Sequence, residues 1–107
     1  MNVSTTLKEF IELLENEDYF EAHEILEEKW HQLKRDGDTK ANLARGLINA
    51  AVAFEHIKRD TPTASDKANK TYAGYLRYKH LCNDSKGKWK EACDKVEQIA
   101  ACYGLSL

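Results

Sequence analysis

The sequence predicts an all-α protein, a compact antiparallel bundle of about five helices. Three observations predict it. Apolar residues recur at three- and four-residue spacing through most of the chain, no convincing alternating stretch marks a strand, and the breaks between periodic stretches are short and polar. At 107 residues the chain is expected to be one helical domain spanning 1–107.

The first helix is expected from about Thr6 to Glu15, with Leu7, Phe10, Ile11 and Leu14 on its apolar face and Thr6 and Glu9 as a capping box. Asn16-Glu17-Asp18 makes the turn. The second helix starts after Asp18 and fades in the polar stretch centred on Gly37. The third follows Asp38 or Thr39 and runs to about Arg59, ending before Pro62, the single proline. Leu43, Leu47, Ala50, Phe54 and Ile57 form its stripe. A fourth covers about Ser65 to Cys82, with Ala68, Tyr72, Tyr75 and Leu76 facing inward. A fifth, from about Lys88 to Tyr103, carries Trp89, Ala92, Cys93, Val96, Ile99 and Ala100 inward, and Gly104 suits its C-cap.

Composition narrows the class. Apolar residues are 42% and charged residues 32%, as in a folded soluble protein. No apolar run is long enough to span a bilayer, and the N-terminus lacks the pattern of a signal peptide. Three cysteines without Cys-x-x-Cys spacing suggest no disulfide framework and no zinc knuckle, so a cytoplasmic setting is expected. Charge is segregated. Residues 1–38 carry 4 basic and 11 acidic side chains, and residues 58–95 carry 10 basic and 5 acidic. Such asymmetry can steer a partner or a second copy, although a plain solvated surface looks the same.

The chemistry concentrates on the second helix. On a period of 3.6, Tyr19, Ala22, Leu26, Trp30 and Leu33 share one face. His23 lies within that stripe, and His23, Glu27 and His31 form a ladder one turn apart. Imidazole and carboxylate one turn apart can share a proton or a divalent transition metal. A metal needs a ligand from another helix, and His56 on the third helix is the candidate. His23, Glu27 and His56 are therefore the expected metal ligands, with Glu24 as an orienting group or general base. The competing reading is a core histidine hydrogen-bonded to a carboxylate or carbonyl. Gly46, costly in a helix interior, marks a tight crossing, placed here under Trp30.

A weaker constellation sets Tyr72, Tyr75 and Tyr78 among Lys70, Arg77, Lys79 and His80. Nucleic-acid binding is not expected, because the first two rings should face the core and no RNA-binding motif is present. There is no phosphate loop and no nucleophile elbow.

Phe20-Glu21-Ala22-His23-Glu24-Ile25-Leu26-Glu27-Glu28-Lys29-Trp30, followed by the run from Arg45 to His56, resembles domain-of-unknown-function family 309 over roughly residues 7–80. Arg45 and Asn49 stand where that family usually has Gln. The resemblance implies a compact helical bundle with His23, Glu24, Glu27, Trp30, Gly46 and His56 at signature positions. It implies no settled activity. Two functions follow as expectations: a polar or metal site between the second and third helices, or a module that binds a protein partner or forms a homo-oligomer through its segregated charges.

Overall fold

The computed structural model describes residues 2–83 and 85–105. Five α-helices follow in order: α1 Val3–Glu15, α2 Tyr19–Arg35, α3 Ala41–Arg59, α4 Ala64–Tyr78 and α5 Gly87–Tyr103. A 3₁₀ turn, Lys79–Cys82, joins α4 to α5. The protein is all-α, and no strand occurs among the described residues. Helix α3 is central. It packs against α2 on one side and α4 on the other, while α1 packs against α2 and α5. The core draws on every helix, with Leu7, Phe10 and Leu14 of α1 and Val96 of α5 meeting Leu26, Leu47, Phe54 and Tyr75.

Local chemistry explains the boundaries. Helix α1 starts earlier than the capping box suggested. Asn2 is the N-cap, its Oδ1 accepting from the Thr5 N–H at 2.8 Å. Thr6 instead lies in the first turn and donates its hydroxyl to the Asn2 carbonyl at 3.2 Å. Asp18 precedes α2 but caps it only through its backbone carbonyl, bonded by the Ala22 N–H at 3.0 Å. Helix α3 ends at Asp60, whose φ of 51° is left-handed, two residues before Pro62. Gly104 ends α5 with a φ of 74°, a left-handed cap that suits glycine.

Two expectations about the second half need correction. The helix expected up to Cys82 stops at Tyr78 and tightens into the 3₁₀ turn. That turn carries Cys82 beneath α5, where it forms a disulfide with Cys93, the two Cα atoms 6.3 Å apart. Spacing gave no sign of the pair, because a bridge depends on how separate elements dock. The odd cysteine, Cys102, is free and exposed. Cysteine usage therefore gives no ground for a reducing compartment. No helix of the described residues is long and apolar enough to cross a membrane.

Gly46 lies at a helix crossing, but the partner is α4 and not Trp30, and a Cβ there would meet α4 at ordinary contact distance. A Cβ on Gly46 would stand 3.4 Å from Tyr78 Cβ and 3.5 Å from Tyr75 Cα. Trp30 is half-buried elsewhere, with Lys34 Nζ 5.1 Å from its ring centroid. The tighter glycine of this crossing is Gly74, where a Cβ would collide with the Asn49 amide and lie 3.2 Å from Asn49 Cβ. Gly74→Ala is expected to cost about 1–3 kcal/mol through overpacking. In an Asn49→Ala background most of that cost should vanish, since alanine is otherwise favoured over glycine in a helix by about 1 kcal/mol. Urea denaturation of the four species of this cycle measures the coupling. Strict additivity would show that the crossing is not limited by Asn49.

Candidate functional site

The candidate site is a cleft of about 180 Å³ between the start of α2 and the second half of α3, lined by Phe20, His23, Val52, Glu55, His56 and Arg59. The antiparallel pairing of the two helices creates it. With α2 ending at Arg35 and α3 starting at Ala41, the turn centres on Asp38. Residue 53 then lies level with His23, and His56 is only about 4.5 Å further along the axis at ~1.5 Å per residue. Both histidines are half-buried.

Phe20 and His23 are three residues apart, and their rings meet edge-on with centroids 5.1 Å apart. Val52, His56 and Arg59 follow at helical spacing along one face of α3. Arg59 Nε lies 3.4 Å from Glu55 Oε1, a pair at the rim. Exposed pairs of this kind contribute little to stability. Among the described residues no side chain hydrogen-bonds either imidazole.

The structure brings His23 and His56 together and leaves Glu27 and Glu24 out. Both glutamates are exposed and neither lines the cleft. The reason is rotational. Four residues turn a helix by about 400°, so each rung of the His23–Glu27–His31 ladder drifts about 40° around the axis. His23 borders α3, Glu27 has turned toward water, and His31 is exposed. The carboxylate that does reach the cleft is Glu55. Sequence reasoning passed over Glu55, Phe20 and Arg59. Their signal was present, since each lies three residues from one of the two histidines or one position beside it. Among the described residues no three His, Cys, Asp or Glu side chains are grouped to hold a metal ion. The His23, Glu27 and His56 ligand set is not assembled.

Away from the cleft, a polar chain runs from the core to the surface. The Tyr75 hydroxyl donates to Glu97 Oε2 at 2.7 Å and lies 3.5 Å from Cys82 Sγ. Lys79 Nζ meets the other oxygen of Glu97 at 3.5 Å. At the opposite end of the core, the Tyr19 and Tyr103 hydroxyls hydrogen-bond at 2.9 Å. Burial, then these hydrogen bonds, hold the Tyr75 and Tyr19 phenols well above the usual range. Burial and the Glu97 carboxylate push Tyr72 up to about 12. These groups brace the bundle.

The fold and the cleft define a small all-α bundle protein with two histidines lining a cleft between an antiparallel helix pair. The chain belongs to the DUF309 family, a domain of unknown function, whose family model matches residues 7–67, more than half of the chain. The match ends short of residue 80, where the resemblance was expected to reach, and so excludes most of α4 and all of α5. No curated protein and no solved structure matches the chain.

Proposed function

We propose that this protein is a binding module whose working site is the α2–α3 cleft, with His23 and His56 as the groups that contact what it binds. One observation carries this reading: two signature histidines from different helices line the same cleft, half-buried and without a hydrogen-bond partner among the described residues. An imidazole can donate, accept or ligate. Two that face one open cleft favour an external ligand over an internal structural role.

Size and lining narrow the ligand. At about 180 Å³ the cleft is smaller than the roughly 300–1,000 Å³ of pockets for drug-sized molecules. It suits one amino-acid side chain or a small acid. A divalent transition metal bridging the two imidazoles would need its remaining donors from outside this chain, or from Glu55 after a side-chain rotation. A proton-transfer role for Glu24 has no geometric support, because its side chain points to solvent.

The test is NMR of the histidine imidazole resonances during titration with zinc ion, inorganic phosphate and phenylalanine amide in turn. Saturable movement of the His23 and His56 signals together, lost in His23→Ala, is expected for at least one probe. Neither signal moving at millimolar concentration of any of the three would remove the reading.

A further inference from the structure

We propose that a second cavity, between the end of α1 and the end of α5, binds a small uncharged phenol or cyclic alcohol. It is separate from the α2–α3 cleft and does not depend on it. Its volume is about 350 Å³, which falls inside the roughly 300–1,000 Å³ range of small-molecule sites. Leu14 and Tyr19, both buried, and the half-buried Ile99 and Tyr103 give it an apolar lining.

Hydrogen-bond accounting gives the ligand its polar group. Tyr19 and Tyr103 bring two hydroxyl hydrogens, and the 2.9 Å bond between them uses one. The other hydrogen has no acceptor among the described residues. Glu17 lines the same cavity, close enough to the Tyr19 hydroxyl to help keep that phenol protonated. Its backbone carbonyl accepts from Lys58 Nζ at 2.7 Å, but its carboxylate has no donor among the described residues. The lining thus offers one donor and one acceptor. A ligand hydroxyl meets both, accepting from the tyrosine pair and donating to the carboxylate.

Charge selects against an ion. Glu15 and Lys95 pair with each other at 3.1 Å, and both line the cavity. Lys58 stands against the Glu17 backbone, and Glu55, the other acid acting on Tyr19, pairs with Arg59. Asp18 is exposed and outside the lining. Acids and bases around the site therefore balance, and no surplus charge compensates an ion for the water it would lose against the apolar wall.

Cys102 supplies the readout. Its thiol is free, exposed and part of the lining, so a bound molecule should slow its alkylation. The alkylation rate of the native oxidised chain, normalised to that of free cysteine, is measured against para-cresol, toluene, benzylamine and benzoate. Para-cresol is expected to protect saturably at millimolar concentration, with the other three weaker by about fivefold or more. Ile99→Trp, which fills the cavity, should abolish protection. Tyr19→Phe combined with Tyr103→Phe keeps both rings and removes both hydroxyls, so para-cresol should fall to the level of toluene. Either substitution alone leaves one hydroxyl hydrogen to donate and should keep most of the protection. Helical circular dichroism checks that each variant folds, and the comparison of the four probes on the unaltered chain stands without any variant. No protection by para-cresol, or equal protection by toluene, benzylamine or benzoate, overturns the proposal.

Discussion

As pH rises from 10 toward 12 the fold is expected to lose stability progressively, with a slope that starts at about 2 kcal/mol per pH unit and stays below about 4 kcal/mol per pH unit. Tyr19, Tyr72 and Tyr75 are all buried, and all three phenols are held above the usual value. In the unfolded chain each phenol ionises near ~10. The folded state therefore binds more protons than the unfolded state across this window. Stability is fully present below pH 10 and falls as pH rises toward the folded values. One retained proton is worth about 1.4 kcal/mol per pH unit, so three fully retained protons set the upper limit of the slope. Absorbance of tyrosinate near 295 nm, followed together with helical circular dichroism, checks it. The three phenols should ionise only as helicity is lost. Tyr72→Phe should reduce the slope by about a third without removing a hydrogen bond. Ionisation of all three near pH 10, with helicity intact, would contradict the burial assigned to them.

Reduction of the Cys82–Cys93 bridge is expected to cost about 3 kcal/mol, from the chain entropy regained by a loop of this length when unfolded. The bridge ties the 3₁₀ turn to α5, the helix that otherwise meets α3 over only a short stretch and leans on α1. Both sulfurs are buried, so a reductant should act slowly on the native protein and quickly in denaturant. Alkylation followed by mass measurement should label Cys102 alone in the native oxidised chain, and all three cysteines after reduction in denaturant. Urea denaturation with and without reductant gives the energy. Native labelling of all three would mean that the two sulfurs are accessible thiols.

Much of the fold was legible because it is written locally. Leu7, Phe10 and Leu14, or Ala92, Val96 and Ala100, recur at a spacing that only a helix turns to one side. Pro62 and Gly104 stop helices through constraints on their own backbone. That His23 and His56 line one cleft follows from the same local periodicity, once the length of the Asp36–Lys40 turn is counted. Glu27 was misplaced because residues four apart are near neighbours on a helix without sharing an azimuth. A ladder that begins in a groove winds out of it.

The sequence by itself determined five helices, their inward faces and the pair of helices that carries the histidines, since a period of 3.6 and the chemistry of caps and turns act within a few residues. Only the tertiary structure decided that Glu55 and not Glu27 lines the cleft with the histidines, that Gly46 faces α4 and not Trp30 while Gly74 of α4 faces Asn49, and that Cys82 reaches Cys93. Each of these depends on the rotation and offset of one packed helix against another. Those are set by the summed packing of many side chains, so no single stretch of sequence records them.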